Sequence, residues 1–163
     1  MCRSKMDTLT CILSLLCLAC WSLPRGVEGT KCTGGFHKHG GSCYWFSNIK
    51  GTFAEARSIC RFLGSDLVTI TSHTEDAFVR GYATQRGKAE RYYLGATDLG
   101  LEGRWVWTGN KPFTYTNWGP GQPTNYKNNE HCLEAYKGYG YGWNDVNCDK
   151  KANFICQMSP LRG

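Results

Sequence analysis

Two segments of the chain repeat apolar residues in the rhythm of a helix. Phe53, Ala56, Cys60 and Leu63 recur at i, i+3, i+7 and i+10, the stripe of a helix packed on one face. Thr52 stands three residues before Glu55, a capping box in which each side chain satisfies the backbone N–H of the other residue. Gly64 supplies the stop. A second box, Ser72 with Glu75, opens another helix expected to run through about Thr84, with Ala77, Phe78 and Tyr82 facing inward. Shorter runs rich in aromatic and β-branched residues read as strands: Ser42–Ser47, Leu67–Ile70, Tyr92–Thr97, Arg104–Trp107 and Asn153–Gln157. From Trp107 to Asp145 the period fails and Gly, Asn and Trp dominate. A loop region this long inside a compact domain is functional or disordered, and Trp118, Tyr126, Trp143 and two cysteines within it argue against disorder.

The first 29 residues fit no such element. Met1–Asp7 carries Arg3 and Lys5, the apolar run Leu9–Trp21 is too short to span a bilayer, and Val27 and Gly29 put small residues before a cleavage site. The segment reads as a secretory signal peptide cut after Gly29. That leaves 134 residues, 30–163, the size of one domain. No later stretch approaches 18 apolar residues, so a secreted protein without membrane insertion is expected.

Of ten cysteines, Cys32, Cys43, Cys60, Cys132, Cys148 and Cys156 lie beyond that cut. An even count in an oxidising compartment implies three disulfides, with 15 connectivities open. Cysteine ligation of zinc wants close pairs, and residues 30–163 hold no Cys-x2-Cys. The same residues carry 16 Lys and Arg against 11 Asp and Glu, a balance of +5. The basic residues (Lys31, Lys50, Arg80, Arg104, Lys137) are scattered, whereas a nucleic-acid footprint is clustered. His37 and His39 lack a nearby third ligand and read as an exposed pair.

The chemistry concentrates between Trp118 and Asp145, where Gln122, Thr124, Asn125, Glu130, Asn144 and Asp145 bring oxygen-bearing side chains into one span. Carboxylates, carbonyls and hydroxyls are the ligands of a hard cation such as calcium, and Pro123 stiffens the backbone that presents them. Catalysis lacks its usual parts: no Gly-x-Ser-x-Gly elbow and no His-Glu-x-x-His pair occurs. The acid–base cluster worth naming, His131 with Glu130 and Glu134, lies inside the ligand loop, so the chain is expected not to be an enzyme.

Five pieces carry a resemblance over nearly all of residues 30–163: Phe53 to Cys60 (FAEARSIC), Tyr93 to Ala96 (YLGA), Trp118-x-x-Gly121 followed by Gln-Pro, Trp143-Asn144-Asp145 before Cys148, and Phe154 to Gln157 (FICQ). In this order and spacing the chain resembles a C-type lectin domain, in particular the short secreted single-domain lectins of invertebrates. The resemblance implies an α+β fold with two helices, two small antiparallel sheets and a long loop region held by calcium. It implies disulfides Cys32–Cys43, Cys60–Cys156 and Cys132–Cys148. A principal calcium site would use Gln122, Thr124, Glu130, Asn144 and Asp145, and the same residues would hydrogen-bond two vicinal sugar hydroxyls that ligate the ion.

Relatives with Glu-Pro-Asn here take mannose-type sugars and those with Gln-Pro-Asp galactose-type. Gln122-Pro123-Thr124 leans to galactose but puts a short neutral hydroxyl where a carboxylate stands. Glu130 and Asp145 still match the +2 of calcium, so binding weaker than at a three-carboxylate site is expected. Tyr126 would stack on the sugar's apolar face. A second calcium site would use Asp98, Glu102, Asn125 and Glu130, with His131 in place of an aspartate. The implied partners are glycans of microbial or other cell surfaces, as in innate immune recognition, with a partner protein chain as a further source of avidity. The alternative keeps the fold and gives up the ion: a calcium-independent domain that binds protein.

Overall fold

The computed structural model describes residues 31–86, 88–109 and 111–161. The expected leader segment, residues 1–29, and its expected cleavage site lie outside the described residues. Residues Lys31–Leu161 form one compact unit. Strands β1 (His37–His39) and β2 (Ser42–Phe46) make a hairpin, then come helix α1 (Phe53–Phe62), β3 (Asp66–Leu67) and helix α2 (His73–Arg86). The second half holds β4 (Arg91–Thr97), β5 (Val106–Trp107), β6 (Cys132–Tyr136), β7 (Gly142–Val146) and β8 (Asn153–Met158). The expected strands at Leu67–Ile70 and Arg104–Trp107 shorten to β3 and β5, and the hairpin β6–β7 rises inside what the pattern shows as loop.

The antiparallel ladder β1–β2–β8 and the ladder β4–β6–β7 meet where β8 pairs parallel with β4, so the strands form one path in the order β1-β2-β8-β4-β6-β7. Gly95 of β4 lies where the chain of β3 crosses it: a Cβ there would stand 2.8 Å from Leu67 O and 3.0 Å from Val68 O. Disulfides join Cys32 to Cys43, Cys60 to Cys156 and Cys132 to Cys148. The second staples α1 to β8; the third closes the β6–β7 region.

Helix α1 starts as the capping box requires: Thr52 Oγ1 accepts from Glu55 N at 3.3 Å, and Glu55 Oε2 accepts from Thr52 N at 2.8 Å. Its stripe buries Phe53, Ala56 and Cys60, while Leu63 caps the C-terminus and is exposed, followed by Gly64 at φ +72°. Helix α2 turns differently from its apolar pattern. It buries Asp76, Val79 and Ala83, leaves Ala77 exposed, and half-buries Phe78 and Tyr82. The cause is polar: Asp76 accepts from Trp143 Nε1 at 3.1 Å and from Asn117 Nδ2 at 2.8 Å, which rolls that face inward. Phe78 and Tyr82 are then covered by the two histidines of β1. The His39 ring stacks on Phe78 at 4.0 Å, and the Tyr82 hydroxyl lies 2.6 Å from His37 Nε2. These histidines therefore serve packing, although His37 itself stays exposed.

Candidate functional site

The loop after β5 is pinned to β7 by an isolated bridge between Trp118 and Trp143, with Gly119 N donating to Trp143 O at 2.7 Å and Trp143 N to Asn117 O at 2.8 Å. Trp105, Trp107 and Trp143 are buried, and Trp118 packs against the same core. The tryptophans thus anchor the loop from below, and the polar residues between them form its outer side.

Four of the expected ligands are stitched together here. Asp145, 1% exposed, takes Thr124 N on Oδ1 and Oδ2 (3.1 and 2.9 Å) and Asn125 N on Oδ2 (2.5 Å). Glu130 Oε2 accepts from the Thr124 hydroxyl (3.2 Å) and from Tyr126 N (2.9 Å), while Glu130 N donates to Asn125 Oδ1 (3.1 Å). The chain makes this tight return with Asn125, Lys127 and Asn128 at positive φ, a region asparagine tolerates better than most residues. Two carboxylates from loop and strand thus share one residue, Thr124.

Gln122 and Asn144 complete the set through what they do with their amides. Gln122 Nε2 donates to the Tyr139 hydroxyl at 3.2 Å, and its buried Oε1 has no donor among the described residues. Asn144 Nδ2 donates to Glu134 Oε1 at 2.9 Å and to Asp145 O at 2.5 Å. Both amides use their N–H groups on the protein, and Gln122 keeps an oxygen in hand. An all-oxygen donor set with two carboxylates fits a hard divalent cation. Tyr126 stands at the rim, 64% exposed, with Lys127 Nζ 5.2 Å from its ring centroid.

Beneath Asn144 lies a charged pair that the sequence pattern does not reveal. Glu134 is fully buried on β6 and is bonded by Arg91 of β4, whose guanidinium also sits 4.1 Å from the Tyr136 ring centroid. Burial pushes the Glu134 carboxyl up from its ordinary value, against the pull of Arg91 and of the Asn144 bond. The clue in the sequence is a lone acid in the otherwise apolar strand CLEAY. The three members of the acid–base cluster face different partners: Glu134 holds Arg91 and Asn144, Glu130 holds the loop, and His131 turns to Asp98 and Glu102. For the expected second site, Asp98 and Glu102 gather with His131, whereas Asn125 and Glu130 bond each other and the principal site. A concavity of about 580 Å³ between β2, α2 and the start of β4 shares no residue with these loops.

Residues 49–158 match the family model described as Lectin C-type domain. Perlucin of Haliotis laevigata is 54% identical over 131 residues, covering 80% of this chain and 84% of that protein. Among solved structures, the carbohydrate-recognition domain of the mouse scavenger receptor C-type lectin superposes with a TM-score of 0.74 at 32% identity, covering 81% of this chain and 99% of that one. A calcium-independent type II antifreeze protein shares the fold at a TM-score of 0.74 and 22% identity, covering 82% and 98%. With the family model spanning well over half of its residues, the chain belongs to the C-type lectin domain family.

Proposed function

We propose that the domain is a secreted, calcium-dependent carbohydrate-binding lectin that prefers galactose-type over mannose-type glycans on microbial or other cell surfaces. The observation that supports it best is the gathering of the Glu130 and Asp145 carboxylates on Thr124, with the buried Gln122 Oε1, two residues away in the chain, left without a donor among the described residues. Calcium bound there would supply a docking point for two vicinal hydroxyls. Glu130 and Asp145 neutralise the ion, and Gln122, Thr124 and Asn144 orient it. Tyr126, exposed at the rim, offers an aromatic face to the apolar side of a sugar ring. Three disulfides suit an extracellular setting.

The test is retention on immobilised galactose and mannose with and without a calcium chelator. Release by chelator from galactose alone supports the reading; retention on both, or on neither, overturns the sugar preference. One observation favours the calcium-independent alternative. Asp145 and Glu130 already accept bonds from backbone amides and the Thr124 hydroxyl, so the loop is held together by the protein alone. On that reading the ligand is a protein surface. Absence of heat on titrating millimolar calcium into the purified domain would select it.

A further inference from the structure

The cluster Asp98–Glu102–His131 has a different chemistry from the calcium site beside it. The β4–β6 register pairs Thr97 with Cys132, so the next residues outward, Asp98 and His131, meet across the two strand ends, and Asp98 N donates to His131 O at 3.2 Å. The turn after β4 closes through Leu101 N to Asp98 O at 3.1 Å and Arg104 N to Leu101 O at 2.9 Å, which brings Glu102 back over the pair. His131 Nδ1 lies 3.0 Å from Asp98 Oδ1 and 3.3 Å from Glu102 Oε2. One ligand atom from each residue lies within 4.8 Å of the other two. The second oxygen of Asp98, a residue 2% exposed, accepts from Gly103 N at 2.8 Å, which fixes the carboxylate plane.

An imidazole nitrogen is a poor ligand for calcium and a good one for zinc. Tetrahedral zinc with bonds of 2.0–2.2 Å sets its ligands about 3.3–3.5 Å apart. The two edges that run from His131 are already close to that spacing. The third edge can close by rotation of Glu102, whose side chain is 55% exposed. Two carboxylates neutralise the dication, the Gly103 amide plays the part of an outer partner that orients a ligand, and the exposed side leaves a position for water.

We infer that Asp98, Glu102 and His131 form a site for a borderline divalent cation, zinc, where a second calcium is otherwise expected. It does not depend on the sugar reading, because none of the three residues belongs to the principal set. The six described cysteines are all in disulfides, so none of them offers a thiol to the metal.

The experiment is calorimetric titration of zinc chloride into untagged, disulfide-intact, metal-stripped protein, with and without millimolar calcium. One zinc is expected per chain, with an affinity that calcium changes by less than about twofold. His131→Gln should weaken it by about 100-fold or more, beyond the 10–100-fold typical of outer partners, with the fold checked by circular dichroism. Asp145→Asn, which damages the principal site, should leave zinc binding in place, and so should the double change His37→Gln and His39→Gln. Cobalt(II) in place of zinc should give the intense visible absorption of a four-coordinate ion, absent in His131→Gln. No zinc heat, zinc binding that survives His131→Gln, or displacement by millimolar calcium would each overturn the site and leave a hydrogen-bonded ion pair in its place.

Discussion

Replacing Arg91 with leucine tests whether the buried charge under the loop positions the site or merely fills it. Glu134 is fully buried, and its Oε2 has no partner among the described residues. Without Arg91, Oε1 keeps only the Asn144 amide. Breaking a buried pair by removing one partner costs about 3–5 kcal/mol, because a desolvated charge is left uncompensated. For a domain of this size about 3–5 °C in Tm follows each kcal/mol, so Arg91→Leu should melt about 10–20 °C lower. The double change Arg91→Leu with Glu134→Leu should recover most of that stability, since apolar replacement of a buried pair is often neutral or better. It should not recover calcium binding, because the Asn144 amide loses the carboxylate that aims it. Urea unfolding with disulfides intact gives the first quantity and calcium calorimetry the second. A loss under about 1 kcal/mol in Arg91→Leu, or wild-type calcium affinity in the double variant, would refute the reasoning.

Thr124→Asp adds a third carboxylate beside Glu130 and Asp145 and should tighten calcium about tenfold or more by calorimetry, since charge count sets affinity over decades; unchanged affinity would place the ion elsewhere. Asp76→Asn should show in the pH dependence of Tm. Burial raises the Asp76 carboxyl above its ordinary 3.8, more than Arg80 and the Trp143 bond lower it. Its stabilising contribution is therefore complete below that value and is lost as pH rises through the folded pKa. The variant does not titrate, so it should gain on the wild type as pH rises above about 4; a constant gap counts against this. Gly119→Ala puts a Cβ 2.4 Å from Tyr139 Cδ2, so the ring that holds Gln122 must move. Overpacking of about 1–3 kcal/mol is expected, with lower galactose retention; Tyr139→Phe should lower retention without that stability loss.

What could be read from the sequence follows the range of the interaction that decides each feature. The capping box of Thr52 and Glu55 closes within three residues, and α1 begins where the pattern places it. The inward face of α2 depends on Asn117 and Trp143, 41 and 67 residues from Asp76, and apolar periodicity carries no trace of them. Strands β6 and β7 escape the pattern for a related reason. Glu134, Asn144 and Asp145 interrupt it with polar groups that are buried and bonded to other parts of the chain. The ligand types were legible because oxygen chemistry belongs to the residue itself. Which ligands meet was not: the β4–β6 register, a tertiary fact, gives Asp98 to His131 and leaves Glu130 with the loop.

Three consecutive residues of β7, Trp143, Asn144 and Asp145, each reach a different element. Trp143 donates to Asp76 of α2, Asn144 to Glu134 of β6, and Asp145 accepts from the loop amides of Thr124 and Asn125. Successive side chains of a strand point to opposite faces, so β7 is gripped from both sides and along its outer end. Apolar residues in place of these acids and their partners together would give a core about as stable by ordinary accounting. What they could not do is orient an indole and an amide, because only a fixed acceptor selects which way an N–H points. The buried acids are therefore best understood as positioning the strand that presents Asn144 and Asp145, so that the outer oxygens are in place before any ligand arrives.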